Sequence, residues 1–215
     1  MTADMEIKDG LLSDVEEYVK GYMANYDPSH DYHHIRRVVA LAQRIHAATG
    51  SPTSRDVVTL CALLHDVGDR KYLKPGEDGR TLVRDVLLSL GAGRALAGKV
   101  QAVCLGVSYT GEVADPEGAR RLAAEHPELA IVQDADRLDA VGAVGVGRAF
   151  TFGGARGQDM GATMAHFEEK LVRLGDMMKT DVGREMAGVR TERLRLMQEW
   201  WADEVGSATG NSPQA

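Results

Sequence analysis

The chain has 215 residues, enough for one domain with a substantial hydrophobic core. Hydrophobic residues make up 44% of it and charged residues 27%, which excludes a disordered or membrane-embedded class and indicates a globular protein. The formal net charge of −7 argues against binding to nucleic-acid polymers, which needs a basic face, but leaves small phosphorylated ligands open.

Apolar residues recur at helical spacing along most of the chain, and no alternating strand pattern interrupts them. The predicted fold class is therefore all-α, a single-domain helical bundle. Helices are expected at residues 11–26, 31–48, 54–67, 80–90, 93–107, 117–125, 128–144, 163–179 and 182–205. By composition, we expect a loop at 109–116, a mobile glycine-rich segment at 150–161 and a disordered tail at 206–215.

In this scheme residues 1–27 supply an N-terminal helix that packs on the core of a domain spanning 28–205. The two cysteines, Cys61 and Cys104, lie in apolar stretches and are expected to be free thiols of a reducing compartment, a disulfide being the less favoured alternative. The acidic N-terminus lacks the apolar segment of a signal peptide, and no apolar run is long enough to cross a bilayer. We expect a cytoplasmic protein with no membrane partner.

The segment from Val57 to Leu64 is apolar on nearly every side, which predicts a buried helix. This helix is followed directly by His65 and Asp66. A carboxylate at the end of a buried helix is costly unless a positive or hydrogen-bonding group meets it. Because a divalent cation accepts imidazole and carboxylate ligands together, the pair indicates a metal site.

Other ionisable residues on predicted helices extend this pair to a candidate ligand set, since helices can converge in a bundle core and hold a cation there. The candidate ligands are His34, His65, Asp66 and Asp136. By residue type alone, His33 competes with His34, and Asp134 and Asp139 compete with Asp136. Mixed imidazole and carboxylate ligands suit Mn²⁺, Fe²⁺, Co²⁺, Ni²⁺ or Zn²⁺ better than Ca²⁺.

Several short segments also carry a family resemblance. They are HDYHHIRRV at 30–38, LHDVGD at 64–69, QDADRLDA at 133–140, TFGG at 151–154 and HFEEKL at 166–171. In this order they resemble the HD-domain superfamily of metal-dependent phosphohydrolases, over about residues 28–200. The chain is most similar to a small stand-alone branch of that superfamily, some members of which are nucleotide pyrophosphohydrolases.

The resemblance implies an HD-type helical bundle in which the four candidate ligands bind one divalent ion, with Mn²⁺ first and Mg²⁺, Co²⁺, Ni²⁺, Fe²⁺ or Zn²⁺ as further candidates. It selects His34 over His33, because His34 lies three residues before Arg37 and Val38. Other branches bind two metals through extra histidines between the HD pair and the last aspartate. Here that interval contains only His126, which disfavours a two-metal centre.

Four further residues are candidates for binding the substrate or taking part in its hydrolysis. Asp69, with Asp66, is a candidate to orient water or relay a proton, and Lys71 is a candidate to hold a phosphate. A solvated loop position is the alternative for both Asp69 and Lys71. Arg37 and Arg148 are further candidate phosphate contacts, although for Arg37 a structural role next to the metal ligands, such as pairing with a carboxylate, is favoured.

The predicted activity is metal-dependent hydrolysis of a phosphate ester or phosphoanhydride in a small molecule, with a nucleotide favoured, by a pyrophosphohydrolase or a phosphatase. The choice of phosphate chemistry rests on the resemblance. The alternatives are a di-iron oxygenase on the same fold and a non-catalytic nucleotide-binding regulatory module. The expected partner is the small phosphorylated substrate, without a nucleic-acid polymer, and a homodimer is allowed.

Overall fold

A computed structural model describes residues 3–70 and 73–208 of the chain. Within these two ranges the chain is helical and contains no strand, which confirms the predicted all-α class. The α-helices are α1 (Leu11–Tyr22), α2 (Tyr32–Thr49), α3 (Arg55–Leu64), α4 (Leu82–Ser89), α5 (Arg94–Gly106), α6 (Tyr109–Ala114), α7 (Pro116–Glu125), α8 (Glu128–Asp139), α9 (Gly142–Gly154), α10 (Met160–His166) and α11 (Asp181–Ala208). Short 3₁₀ turns are Ala3–Met5, Met23–Asn25 and Val172–Met177, and Phe167–Leu171 is π-helical.

Side-chain caps start the two helices that lead to the candidate histidines. Asp31 precedes α2 and accepts a hydrogen bond from the backbone N–H of His34 at 3.1 Å. Ser54 precedes α3 and accepts one from the N–H of Val57 at 3.4 Å. Each cap satisfies a donor that the first helical turn leaves unpaired. Because His34 lies in the capped first turn of α2, the cap also defines where its side chain leaves the helix.

Helix α3 is the centre of the bundle. Its residues from Val57 to Leu64 are all buried, because α1, α2, α5 and α8 pack around it. A helix that is apolar on every side requires such enclosure, since no face of it suits water. Helix α2 also packs along α8, and the long α11 lies against α8 and α9. The end of α3 therefore meets α2 and α8 inside the protein.

The expectation of a loop at residues 109–116 is wrong, because Tyr109–Ala114 is helical. Glu112 of this short helix α6 forms ion pairs with Arg137 of α8 and with Lys179. Both partners are distant in the sequence, so no local sequence pattern predicts this helix. The ion pairs attach α6 to the bundle.

The glycine-rich segment 150–161 is helical up to Gly154, and its expected mobility stays a prediction. Its glycines permit close packing there: a Cβ added at Gly153 would lie 2.5 Å from the hydroxyl of Thr163. The single helix expected at 128–144 is divided after Asp139, and Gly142, the first residue of α9, adopts a φ of +76°. The helix expected at 163–179 is likewise divided, into α10, the π-helical turn and a 3₁₀ turn.

Three other expectations concern the cysteines, the membrane and the tail. Cys61 and Cys104 are free and buried, as predicted, and burial raises the pKa of both thiols. None of the described helices is both long and apolar enough to span a membrane. Helix α11 continues to Ala208, and the rest of the expected tail, 209–215, lies outside the described residues.

A buried carboxylate joins α8 to the start of α11. Asp134 accepts hydrogen bonds from the backbone N–H of Lys179 at 2.7 Å and of Thr180 at 2.8 Å, and from the Thr180 hydroxyl at 2.7 Å. Its side chain therefore points away from the other acidic residues of α8. Asp134 is a structural residue and not a competitor for the metal site.

We predict that Asp134→Ala lowers the free energy of unfolding by about 3 kcal/mol, because three donors lose a charged acceptor in a buried position. Chemical denaturation monitored by circular dichroism measures this change. Asp176→Ala is the matched control, since Asp176 is an exposed carboxylate of the preceding turn. Equal stability of the two variants would contradict the role given to Asp134.

Candidate metal centre

The four predicted ligands come from three helices that meet at the bundle centre. His34 lies in the first turn of α2, and Asp136 lies in the last turn of α8. Helix α3 ends at Leu64, so His65 and Asp66 occupy the turn that follows it and not the helix itself.

The four side chains converge on one point. The Nε2 atoms of His34 and His65 lie 3.2 Å apart. Asp66 places Oδ2 3.4 Å from Nε2 of His34 and Oδ1 3.5 Å from Nε2 of His65. Asp136 places Oδ1 3.5 Å and 3.7 Å from the same two nitrogens. The structure thus brings together residues that are up to 102 positions apart in the sequence.

The solvent reaches this cluster from the carboxylate side. The imidazoles of His34 and His65 are each 1% exposed, whereas the side chain of Asp66 is 16% exposed and that of Asp136 is 33% exposed. A small molecule approaching from solvent would therefore meet the aspartates first, with the imidazoles behind them.

The residues fit a divalent cation. One ligand atom each from His34, His65 and Asp66 lies within 4.8 Å of the others. Ligand atoms about 2.0–2.2 Å from a common ion are separated by about 3 Å when adjacent, close to the distances seen here. In addition, Oδ2 of Asp66 is buried and has no hydrogen-bond partner in the described part of the chain. A buried anionic oxygen of this kind is costly unless a cation meets it.

The hydrogen-bond partners of the two Nδ1 atoms define the tautomers of His34 and His65. Nδ1 of His65 lies 2.9 Å from the carbonyl oxygen of Ala62, and Nδ1 of His34 lies 2.8 Å from Oδ2 of Asp139. Both partners can only accept a hydrogen bond, so each Nδ1 carries the proton and donates it. In the neutral form of each ring the Nε2 lone pair is left to face the centre of the cluster, as metal ligation requires.

Asp139 is the residue behind the cluster whose role the sequence did not reveal. It accepts hydrogen bonds from Nε of Arg37 at 2.7 Å and Nη2 of Arg37 at 3.0 Å, and Nη1 of Arg148 lies 3.2 Å from it. Burial raises the pKa of this carboxyl, but hydrogen bonds from His34 and Arg37 outweigh burial and hold its pKa well below the ordinary range. Asp139 orients His34. The available signal was its spacing, one helical turn after Asp136, with Arg37 one turn after His34.

The remaining residues that the sequence offered as ligands or substrate contacts differ in their burial and in their contacts. His33 is exposed on α2, and Asp69 is half-buried in the turn after Asp66. Arg37 and Arg148 both contact Asp139, and Arg148 also donates from Nε to the carbonyl of Ser29 at 2.7 Å. Lys71 lies outside the described residues. The roles of Asp69, Lys71, Arg37 and Arg148 towards a substrate stay predictions.

His30 is a neighbour that the sequence analysis did not place at the site. Its ring centroid lies 6.0 Å from that of His34 and 5.7 Å from that of Phe152. Burial lowers the pKa of His30 to about 4, although the nearby Asp66 raises it, so the imidazole is neutral near pH 7. Phe152 belongs to the glycine-rich part of α9, which therefore forms part of the wall beside the cluster.

Comparison with known proteins identifies a family and relatives of similar fold. Residues 31–141 match the HD domain family. The uncharacterized protein YpgQ of Bacillus subtilis (strain 168) is 37% identical over 185 residues, 82% of this chain and 84% of that protein. A crystal structure of YpgQ in complex with ADP superposes with a TM-score of 0.71 at 31% identity, covering 90% of this chain and 94% of that one. An HD-superfamily hydrolase from Bacillus thuringiensis superposes with a TM-score of 0.67 at 30% identity, covering 91% and 96%.

The chain belongs to the HD domain family. The matched region begins at the cap of α2 and ends just after α8, so it contains all four candidate ligands and Asp139. The fold class and the family predicted from the sequence are confirmed, whereas the assignment of individual ligands is a proposal.

We predict that binding of the metal ion releases a proton. Burial lowers the pKa of His65, but Asp66 and Asp136 outweigh burial and raise the pKa to about 9, so without an ion this imidazole is charged near neutral pH. A metal ion requires the neutral imidazole, so its affinity should rise about tenfold per pH unit up to about pH 9, with about one proton released per ion. Calorimetry of Mn²⁺ binding in buffers of different ionisation enthalpy measures the proton. A pH-independent affinity between pH 6 and 8 would show that no proton is displaced.

We further predict that Asp139→Asn weakens metal binding about 10- to 100-fold, because a neutral amide holds the Nδ1–H of His34 less firmly. Mn²⁺ titration followed by electron paramagnetic resonance gives the affinity. His33→Ala is the control on the same turn of α2 and should bind Mn²⁺ as the unmodified protein does. An unchanged Mn²⁺ affinity in Asp139→Asn would show that this carboxylate does not orient His34.

Proposed function

We propose that the protein is a metal-dependent phosphohydrolase that acts on a nucleotide. The observation that carries the proposal is the convergence of two imidazoles and two carboxylates where α2, α3 and α8 meet, with facing nitrogens 3.2 Å apart. Membership of the HD domain family and likeness to an HD-superfamily hydrolase support the reaction class. The complex of YpgQ with ADP supports a nucleotide as the ligand.

We assign one divalent ion to His34, His65, Asp66 and Asp136, with Mn²⁺ as the first candidate. When bound, such an ion polarises a phosphoryl oxygen and lowers the pKa of a coordinated water. Asp66 and Asp69 both lie in the turn that follows α3, and the N–H of Asp69 donates to the carbonyl of Asp66 at 3.3 Å. We assign these two carboxylates to orienting the attacking water and accepting its proton.

We assign two different roles to the basic side chains of Arg148, Lys71 and Arg37. Arg148 contacts Ser29 through Nε and Asp139 through Nη1, so its Nη2 takes no part in these two contacts. We therefore assign Arg148 to the substrate phosphate. We keep Lys71 in the same role, because it follows the HD pair in the chain by a few residues. Arg37 uses both Nε and Nη2 on Asp139, which favours a role in orienting the histidine over a contact with substrate.

One ion is favoured over two. His126, the one histidine between the HD pair and Asp136, directly follows α7 and lies 3.9 Å from the carboxylate of Glu125. In the described residues, the group His34, His65 and Asp66 is the one set of three metal-ligating side chains close enough to share an ion. This arrangement disfavours the di-iron oxygenase. A cytoplasmic location and a homodimer stay predictions from the sequence.

The test is hydrolysis of a panel of nucleoside mono-, di- and triphosphates by metal-stripped protein resupplied with Mn²⁺, Mg²⁺, Co²⁺ or Ni²⁺. We expect metal-dependent release of pyrophosphate or orthophosphate. His65→Ala should lose at least about a thousandfold in kcat/KM, because it removes a ligand of the ion. The matched control is His33→Ala, an exposed histidine next to His34, which should retain activity.

The products separate the possible outcomes. Pyrophosphate from a triphosphate defines a pyrophosphohydrolase, and orthophosphate from a monophosphate defines a phosphatase. Nucleotide binding that raises the melting temperature, without turnover under any metal, would replace the enzyme by the non-catalytic binding module. Equal activity of the His65→Ala and His33→Ala variants would overturn the metal centre as the site of reaction.

A further inference from the structure

A second charged cavity lies close to the metal centre. It is a cleft of about 270 Å³ at the junction of α2, α8, α9 and α11. Helix α2 contributes Arg37, Ala40, Leu41 and Arg44, which are spaced at i, i+3, i+4 and i+7 and so share one face of the helix. Helix α11 contributes Arg190 from the opposite wall. We call this cavity the arginine cleft.

The arginine cleft is separated from the ion-binding atoms by the pair His34–Asp139. Nε2 of His34 faces His65, whereas Nδ1, on another edge of the ring, donates to Asp139. The carboxylate of Asp139 in turn meets Arg37, which lines the cleft. A ligand in the cleft would therefore be separated from Nε2 of His34 by the imidazole ring and by Asp139.

Positive charge in the cleft exceeds the negative charge available to it. Asp139 is the one carboxylate in the lining, and His34, Arg37 and Arg148 already share it. In the described part of the chain neither Arg44 nor Arg190 forms an ion pair, although Nη1 of Arg190 donates to a backbone carbonyl.

The guanidinium of Arg190 is in an unfavourable setting. Burial lowers its pKa, and the neighbouring Arg193 and Arg44 lower it further, against the opposing effect of Asp139. In a chain with a formal charge of −7, a lining with three arginines and one carboxylate is a local reversal of sign. An anion in the cleft would relieve the repulsion between them.

The geometry of the lining matches a phosphate group with an uncharged substituent. Guanidinium groups bind phosphate through two parallel N–H donors, and guanidinium groups from both α2 and α11 line the cleft. Ala40, Leu41 and Val144 supply an apolar surface next to them, and Val144 is 41% exposed. The volume exceeds that needed for a phosphate alone, so a further apolar or planar moiety has room beside it.

We propose that the arginine cleft binds the phosphate group of a small phosphorylated molecule at a second site, distinct from the metal centre. Arg44 and Arg190 hold the phosphate from opposite walls, and the free N–H donors of Arg37 complete the site. The proposal is independent of hydrolysis at the metal centre. It gives the HD bundle a ligand site linked to His34 through the hydrogen bonds of Arg37 and Asp139.

The experiment is calorimetric titration of metal-free protein with inorganic phosphate and, separately, with adenosine monophosphate at low ionic strength. We expect both to bind, and the nucleotide to bind more tightly because of the apolar surface. Arg44→Gln should lower the affinity for both about tenfold or more, because one charged donor pair is lost. Arg190→Lys should also lower it, since an ammonium lacks the bidentate fork.

Two controls make the result specific. Arg195→Gln removes the same charge from α11 outside the cleft, at an exposed residue paired with Glu192, and should leave the affinity unchanged. His65→Ala removes the metal centre and should leave it unchanged as well, so failure of the proposed hydrolase and failure of the cleft are distinguishable. Arg44 is exposed and without an ion pair in the described residues, so the Arg44→Gln variant should keep the circular dichroism spectrum and melting temperature of the parent.

Equal phosphate affinity in the parent and Arg44→Gln would overturn the proposal. Loss of binding in His65→Ala would do the same, since it would place the anion at the metal centre. Absence of binding of either anion to the parent protein in the millimolar range would also exclude this site.

Discussion

The structure depends on how the buried end of α3 is neutralised. An apolar helix enclosed on all sides delivers an imidazole and a carboxylate into the interior, where neither is tolerated without partners. In the bundle, His34 from α2 and Asp136 from α8 lie next to this pair and supply those partners. The packing of these three helices is therefore coupled to the chemistry of the site, because a shift of one helix would leave a charge unpaired.

Around this point the polar groups form successive shells of contact. His34 and His65 face inwards, their Nδ1 atoms donate to Asp139 and to a backbone carbonyl, and Asp139 is held in turn by two guanidinium groups. Each shell restricts the orientation of the one inside it. Such preorganisation would serve the proposed ion, since misplaced ligands lose affinity and rate.

The same guanidinium that restrains Asp139 also lines the arginine cleft, so two charged regions share one hydrogen-bonded connection. The overall charge of the chain hides this arrangement, because acidic residues elsewhere outnumber the clustered arginines. Local potential, and not net charge, decides where a phosphate is attracted. A protein with a negative total charge can therefore present positive potential locally, as the lining of the arginine cleft does.

By itself the sequence determined the fold class, the approximate bounds of most helices, the family and the candidate ligand set. These follow from local properties: helical periodicity, capping residues such as Asp31 and Ser54, and short motifs around His34, His65 and Asp136. Only the tertiary structure decided the role of Asp139 behind His34, a contact between residues 105 positions apart. It also decided the helicity of α6, the placement of His30 and the arginine cleft. The physical reason is the same in each case, because contacts between distant segments leave no periodic or local pattern in the chain that makes them.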